Sequence, residues 1–449
     1  MPYAWPSRNQ HGCASCTWRG LDVRPRCFER HVRLTLRWIR LSLNTDPPRS
    51  HPSPDRRAGE LAGSCGCENA VSPAGTSHEG LDGVHRQGRV DVGTNLRSID
   101  ERSTGLRVAL THVFAWPEVR RGGERYLHEL AGALVEAGHH VSILATGSQP
   151  GRARIAGAEV RYLPRRSALH RWFPGQGHEI AFAAQALLRL GSHRFDIWHA
   201  LGTADAAAAA LLSSVRRVRS VYTDLGIPDR PYRGSRSDWR LHEFVVRRID
   251  DYICLSHTAG DELRRGFGRE PVVLGGGVDI RTFHPAERRH PTPALLFASD
   301  VSEARKNAAL LFKAVALLRE RRPQLELWLA GPGDPADVLS SAPRATRDAV
   351  VQLGAGSLQS LTDLYGRAWV TVLPSQLEAF GLVVLESLAC GTPVVTLSHT
   401  APAELFGPDV GVACEPTPEA LADACDRAIE MSMRPDIVEA CRATASPYD

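Results

Sequence analysis

The stretch PSQLEAFGLVVLESLACGTPVV, residues 374–395, is almost wholly apolar, yet it carries two glutamates eight positions apart, Glu378 and Glu386. A carboxylate that is removed from water needs a charged or hydrogen-bonding partner. The stretch therefore raises the question of what these two carboxylates bind.

The pattern of apolar residues, glycine and proline around the two glutamates predicts a strand, a helix and a second strand. The segment WVTVL (369–373) has the composition of a buried strand, and GLVVLESLAC (381–390) is typical of a buried helix. Gly391 is suited to cap this helix, Pro393 prevents its continuation, and VVTL (394–397) supplies the next strand. This order is typical of a doubly wound parallel sheet.

Within this unit, Glu378 is predicted in the strand-to-helix loop and Glu386 inside the helix. The helix begins near Gly381, and its free N–H groups and partial positive charge favour a phosphate. Two carboxylates beside a phosphate site suit a nucleotide-sugar, whose sugar and ribose both carry hydroxyls. In the alternative interpretation, Glu378 is a surface loop residue and Glu386 lies on a solvated helix edge.

Similar units extend in both directions and predict two α/β domains that face a cleft. The first covers residues 105–284 and opens with the strand LRVALTHV, the pair Gly122-Gly123 and a helix with apolar residues at helical spacing. The proline-rich segment HPAERRHPTPA (284–294) reads as a linker, and the second domain covers residues 285–449. Ligands of such sheets bind at the carboxyl ends of the strands.

Residues 1–104 differ in composition from the remainder and are predicted to be a disordered or spurious N-terminal extension. They contain 15 arginines against 11 acidic residues, a surplus of four that equals the net charge of the 449-residue chain. The main body is thus neutral, which argues against a nucleic-acid partner. The ten scattered cysteines and the lack of a membrane-length apolar run favour a cytoplasmic location.

The stretch with the two glutamates closely resembles the signature of family four of the retaining GT-B glycosyltransferases, which have two Rossmann-like domains. The resemblance extends over nearly all of residues 105–449, in the order of that family. It is carried by GGERYLHELAGALVEAGHHVSIL, FDIWHA, DYICLSHTAGDELRR, GGGVDIRTFHP, RKNAALLFKAVALL, LWLAGPGD and LTDLYGRAWVTVLPSQLEAFGLVVLESLACGTPVV.

The resemblance assigns expected roles to individual residues. Glu378 would contact hydroxyls of the donor sugar, Glu386 would accept from the ribose hydroxyls, and Lys306 would neutralise the leaving diphosphate. Lys306 is one of only two lysines in this arginine-rich chain, although a solvated helix-start lysine is the alternative. Further donor-binding residues are expected at Phe380, Gly381 and Leu382 through their backbone N–H groups, at Arg305, and at Gly122 and Gly123; Glu404 stands where the family often has another acid.

The chain departs from the family pattern at positions that bear on catalysis. Ser299 stands where an arginine is usual, so Arg305 is expected to substitute for it. His199 is present as an expected catalytic residue, but Leu201 replaces the second histidine, and His199 could equally be a core residue at a strand end. Asp224 and Gly276 are further departures, and the family typically continues beyond the last residues SPYD into a helix.

The expected reaction transfers a sugar from a nucleotide diphosphate sugar to a sugar, lipid-linked or small-molecule acceptor, with retention and with no metal or other cofactor. One alternative is a catalytically impaired nucleotide-sugar-binding protein. A nicotinamide dehydrogenase fits less well, because Gly122-Gly123 lacks the Gly-x-Gly-x-x-Gly spacing. Arginines between Arg152 and Arg171 favour peripheral contact with anionic lipid, or simply a solvated face.

Overall fold

The computed structural model describes residues 105–116, 119, 122–165, 177–229, 236–354 and 356–449. The predicted extension at residues 1–104 and the basic residues beyond Arg165 in that arginine-rich segment therefore lie outside the described residues. The described part contains two separate β-sheets, each flanked by helices, as the α/β prediction requires.

The first sheet has eight strands in the order β3-β4-β2-β1-β5-β6-β7-β8. All neighbouring pairs are parallel except β3 and β4, which form an antiparallel edge. The strands are β1 Arg107–Thr111, β2 His140–Gly147, β3 Gly151–Ile155, β4 Ala158–Pro164, β5 Ile197–Ala200, β6 Arg219–Asp224, β7 Asp251–Cys254 and β8 Val272–Val273.

The described part of the first domain contains five helices. They are α1 Gly122–Glu136, α2 Gly177–Leu190, α3 Thr203–Ser213, α4 Arg236–Arg248 and α5 His257–Phe267. Helix α1 buries Leu127, Leu130 and Leu134 and begins at the predicted glycine pair. The edge hairpin of β3 and β4, and helix α3 with its run of alanines, were not predicted from the sequence.

The second sheet has six parallel strands in the order β11-β10-β9-β12-β13-β14. They are β9 Ala294–Phe297, β10 Glu326–Leu329, β11 Val350–Gln352, β12 Val370–Leu373, β13 Val394–Leu397 and β14 Gly411–Cys414. The chain reverses direction along the sheet between β9 and β12, and between β1 and β5 in the first sheet, so each domain has a switch point at which ligands of such sheets bind.

Helices on both faces cover the second sheet. They are α6 Ala308–Arg321, α7 Ala336–Ser340, α8 Arg344–Arg347, α9 Leu358–Arg367, α10 Leu382–Ala389, α11 Pro418–Ser432 and α12 Ile437–Ala445, with short 3-10 turns at Ala304–Lys306, Ala401–Leu405 and Ser446–Tyr448. Among the described residues, no helix is both long enough and apolar enough to cross a membrane.

The predicted strand–helix–strand unit around the two glutamates is confirmed as β12, α10 and β13. Helix α10 begins one residue after Gly381, whose φ of +102° is a conformation that glycine adopts at no steric cost. Gly391, with a φ of +77°, ends the helix as expected.

Candidate active site

A cavity of about 690 Å³ lies at the carboxyl ends of the central strands of both sheets. From the second sheet, Ser299 follows β9 and Leu373 ends β12. From the first, His112 directly follows β1 and Gly122 begins α1. Predicted site residues on its wall are Gly122, Gly123, Arg305, Lys306, Glu378, Phe380, Gly381 and Leu382.

Glu378 has two cationic partners at this cavity. Its Oε2 accepts a hydrogen bond from Nζ of Lys306 at 2.5 Å and lies 3.3 Å from Nη1 of Arg305. The side chains of Lys306 and Glu378 are only 12% and 15% exposed. The partners of the Glu378 carboxylate are therefore the adjacent cations Lys306 and Arg305, which neutralise its charge. Glu378 and Lys306 are therefore not freely solvated.

Local structure holds these cations in place. Arg305 and Lys306 occupy a 3-10 turn that ends at Asn307, whose φ is +58°. The carbonyl of Arg305 accepts from the amide of Gln376 at 3.0 Å, which ties this turn to the loop that carries Glu378. The Arg305 side chain also bonds to Glu303, so its charge is shared between two carboxylates.

The start of helix α10 contacts the first domain directly. A Cβ added at Gly275 would lie 2.5 Å from the ring of Phe380, and one added at Gly276 would lie 3.0 Å from Leu382. Phe380 is 6% exposed. Gly276 thus lies in close contact with the second domain.

Glu386 is placed differently from Glu378. It is 5% exposed, so it does not lie on a solvated helix edge, and it is not among the residues that line the cavity. One carboxylate oxygen forms a short ion pair with Arg125 of helix α1, and the other accepts from the Tyr365 hydroxyl at 2.7 Å. Burial and the nearby Glu386 carboxylate raise the pKa of Tyr365 well above its ordinary value. The predicted contact of Glu386 with ribose stays a prediction.

His199, the predicted histidine of the first domain, lies in the core rather than on the cavity wall. It is 8% exposed, its Nε2 lies 2.7 Å from the hydroxyl of Thr223, and burial lowers its pKa to about 4. The structure does not bring it together with Lys306 and Glu378 on the described wall. Its neighbour Leu201 is also buried, and its amide donates to the carbonyl of Thr111 at 2.9 Å.

Glu404 links the two domains through a helix end. Its carboxylate accepts from the backbone N–H groups of His257 at 2.9 Å and Thr258 at 2.6 Å. It therefore satisfies free donors at the positive end of helix α5. Among the residues that the structure describes, Glu404 does not line the cavity.

His112 and Glu124 on the first-domain side of the cavity wall were not predicted from the sequence, nor were the titratable wall residues Tyr126, Asp300 and Glu303. A signal was available, because His112 follows the first strand and Glu124 follows the glycine pair at a helix start. Both positions are at the carboxyl edge of a parallel sheet, where ligands bind.

The chain belongs to the family of group 1 glycosyl transferases. Residues 279–444 match that family, described as "Glycosyl transferases group 1", and residues 120–282 match "Glycosyltransferase Family 4". The glycogen synthase of Mycobacterium tuberculosis is 31% identical over 333 residues, which cover 67% of this chain and 80% of that protein.

Other relatives carry different names. A phosphatidyl-myo-inositol mannosyltransferase of Propionibacterium freudenreichii is 27% identical over 361 residues, which cover 77% of this chain and 91% of that protein. Sucrose-phosphate synthase from Thermosynechococcus elongatus has a similar structure, with a TM-score of 0.64 and 21% identity over 76% of this chain and 94% of that one. HepE of Anabaena, solved with UDP and glucose, gives a TM-score of 0.61 at 18% identity over 76% and 95% of the two chains. At these identities the structural likeness shows the two-domain fold alone.

Proposed function

We propose that the protein transfers a glycosyl group from a nucleotide diphosphate sugar to an acceptor hydroxyl, with retention of the anomeric configuration. The observation that carries the proposal is the Lys306–Glu378 ion pair on the wall of the cavity beside the start of helix α10. A partly buried cation, a carboxylate and the N–H groups at the start of a helix together suit a ligand that contains both a diphosphate and hydroxyls.

In the proposed reaction, the bond between the anomeric carbon and the diphosphate oxygen breaks, and a bond from the acceptor oxygen to that carbon forms. The hydroxyl proton of the acceptor leaves with the diphosphate. Negative charge grows on the diphosphate as it departs, so Lys306, Arg305 and the N–H groups after Gly381 would stabilise the transition state more than the ground state.

Glu378 would then orient the donor sugar. Its second oxygen, Oε1, makes no hydrogen bond with any described residue, while Oε2 is held by Lys306 and Arg305. A carboxylate fixed on one side by cations presents its other oxygen in a defined direction, which suits a sugar hydroxyl. The scheme requires no metal or other cofactor.

Gly122 and Gly123 of the first domain are suited to contact the donor from the side opposite to Lys306. Gly122 and Gly123 line the cavity at the start of α1, and a Cβ at Gly123 would lie 2.9 Å from the side chain of Leu225. Glycine here lets the backbone N–H groups approach a phosphate without steric hindrance. We therefore assign both to the donor diphosphate.

A second candidate function is nucleotide-sugar binding without turnover. It is favoured by Ser299, which stands on the cavity wall where the family usually has a cation, and by His199, which is buried in the core.

The names of the relatives include enzymes of glucan and phosphatidylinositol glycoside synthesis. A sugar, a small glycoside or a lipid-linked acceptor is therefore proposed, the last with peripheral membrane contact on the cytoplasmic side.

The full chain should be mixed with UDP-, GDP- and ADP-sugars, and nucleotide release and thermal stabilisation should be measured in parallel. Stabilisation and slow release with one donor, both weakened in Glu378→Gln, support the transferase and name the donor. Glu320→Gln, on an exposed face of α6, is the matched control. Stabilisation without release, also when acceptors are added, favours the binding protein. No response to any donor from a folded sample contradicts both.

A further inference from the structure

Three neighbouring helices of the first domain end at the same edge of its sheet. Helices α2, α3 and α4 pack side by side, and each leads into one of the parallel strands β5, β6 and β7. A helix that returns the chain to the start of a parallel strand ends where that strand begins. The three helix ends therefore lie at the amino edge of the sheet, opposite to the carboxyl edge that borders the cavity.

This amino edge carries exposed apolar side chains. Leu188 near the end of α2 is 78% exposed, Leu211 near the end of α3 is 51% exposed, and Val215 just beyond α3 is 76% exposed. Leu188 and Val215 are the two most exposed large apolar side chains among the described residues. Single exposed apolar residues are common, but three at the ends of two packed helices favour an apolar partner.

The same edge carries positive charge that is not neutralised by ion pairs. The ends of the three helices and the loops after them hold six exposed arginines that form no ion pair with any described residue, namely Arg189, Arg194, Arg216, Arg217, Arg247 and Arg248. The carboxylates at the starts of β5 and β7 have other partners. Asp196 binds Arg107 at 2.9 Å, and Asp251 binds Arg219 at 2.7 Å. This edge therefore favours an anionic partner.

The charge of the whole first domain has the same sign as this edge. Residues 105–284 contain 25 arginines against 18 acidic residues, whereas residues 285–449 contain 14 basic against 21 acidic residues. The neutral total of the main body thus consists of a surplus of seven positive charges in the first domain and of seven negative charges in the second. Such an asymmetry orients a protein on an anionic surface with its positive domain towards that surface.

Anionic lipid fits both features of this edge. Arginines attract the lipid headgroups, and aliphatic side chains next to them can enter the boundary between headgroups and acyl chains. A nucleic acid would pair with the arginines but would gain little from leucine and valine. We propose that the ends of α2, α3 and α4 form a docking surface for a bilayer that contains anionic phospholipid. This docking surface is separate from the arginines between Arg152 and Arg171.

Docking at the amino edge leaves the cavity accessible from water. The cavity lies at the carboxyl edge of the same sheet, and the negative surplus of the second domain keeps that domain away from an anionic bilayer. The protein would thus be concentrated at the membrane while its cavity faces the aqueous side. The inference concerns attachment alone, so it stands or falls independently of the proposed glycosyl transfer.

The test is cosedimentation of the full chain with lipid vesicles. One set is phosphatidylcholine alone, and the other contains phosphatidylcholine and phosphatidylglycerol in equal amounts. We expect binding to the mixed vesicles only. Binding should weaken as the salt concentration rises from about 0.1 to about 1 M, because the Debye length falls from about 10 to about 3 Å. Thermal unfolding of each variant checks that it is folded.

Two double variants test the charged and the apolar part of the docking surface separately. Arg216→Gln, Arg217→Gln should lower the partition coefficient for mixed vesicles about tenfold or more, because each basic residue near an anionic bilayer contributes about fivefold. Leu188→Gln, Val215→Gln should lower it about fivefold or more, because apolar surface is no longer removed from water.

Matched controls lie on the second domain. Arg288→Gln, Arg427→Gln removes two exposed arginines that form no ion pair with any residue in the described part of the chain. Met433→Gln removes an apolar side chain that is 59% exposed. Both controls should leave the partition coefficient within about twofold of the wild type.

Four results would overturn the proposal. The first is a wild type that does not bind mixed vesicles. The second is equal binding by the wild type and both double variants, which would assign the contact to another part of the chain, such as the basic residues 1–104. The third is a loss in the arginine variant without a loss in the apolar variant, which would show a general site for polyanions such as nucleic acid. The fourth is a dimer in lipid-free buffer that these variants dissociate, which would show that a second copy covers this edge.

Discussion

Arg125 in the first domain and Glu386 in the second form a buried ion pair, although 261 positions separate them in the chain. Their side chains are 14% and 6% exposed, and Arg125 also lies 5.1 Å from the centre of the Phe283 ring. Burial opposes the charge of Arg125, but the carboxylates of Glu386 and Glu129 raise its pKa above the ordinary value. Glu386, the second glutamate of residues 374–395, thus joins the two domains.

Removing one partner of this pair should destabilise the protein strongly. Arg125→Leu leaves the Glu386 carboxylate buried without its cation, which typically costs about 3–5 kcal/mol. The double variant Arg125→Leu, Glu386→Leu should lose less than the sum of the two single losses. Denaturant unfolding of the four proteins measures this coupling.

Arg264→Leu is the control for loss of an arginine, because its partner Asp261 is 60% exposed, and we expect little change. Additive losses in the double variant would show that the Arg125–Glu386 pair contributes nothing as a pair. If donor binding transfers Glu386 from Arg125 to ribose hydroxyls, the donor should also weaken this coupling.

The two lysines of the chain provide a matched test of charge at the cavity. Lys306→Ala removes the cation next to Glu378, and nucleotide release should fall by roughly 10²–10³, as for other losses of transition-state stabilisation. Lys313→Ala, exposed on helix α6, should leave the rate unchanged. The measurement is the initial rate of nucleotide release with the stabilising donor. Equal rates in both variants would refute the role of Lys306.

Gly381 should be sensitive to the addition of a single methyl group. Its φ is +102°, and an added Cβ would lie 2.9 Å from Cγ of Pro402. Gly381→Ala should therefore lower the free energy of unfolding by roughly 1–3 kcal/mol. At Gly122 the nearest atom to an added Cβ is 3.9 Å away, so Gly122→Ala should preserve stability. Thermal unfolding compares the two, and a similar loss in both would contradict the strain argument.

Asp205 should make stability depend on pH. Burial raises its pKa to about 7, although the Thr111 hydroxyl donates to it at 2.5 Å. Between pH 4 and 7 the folded state therefore binds more protons at this group than the unfolded state, so stability falls as pH rises. Relative to Asp205→Asn, the wild type should lose on the order of 4 kcal/mol across this interval.

His199 has the opposite slope over much of the same interval. Its pKa is lowered to about 4, so its contribution to stability is lost as pH falls from about 6.5 toward 4. For this reason the measurement is the difference between wild type and Asp205→Asn at each pH, in which His199 cancels. A difference that does not change with pH would contradict the raised pKa of Asp205.

The sequence alone determined the parallel α/β class, the two domains and the helix that carries Glu386. Apolar runs, caps such as Gly391 and turns such as Gly122-Gly123 act within a few residues, so their structural effect can be read locally. The antiparallel edge of β3 and β4 escaped prediction because its exposed arginines give no clear alternation of apolar and polar residues.

Only the tertiary structure decided which side chains meet. The sequence context of Glu378 and Glu386 indicated a shared site, yet Glu378 lies on the cavity wall with Lys306 and Glu386 pairs with Arg125 and Tyr365. His199 lies near the end of β5 and His112 directly follows β1. Packing buries His199 against Thr223, whereas His112 lies on the cavity wall. The physical reason is that burial and charge pairing depend on contacts between distant segments, which local pattern does not encode.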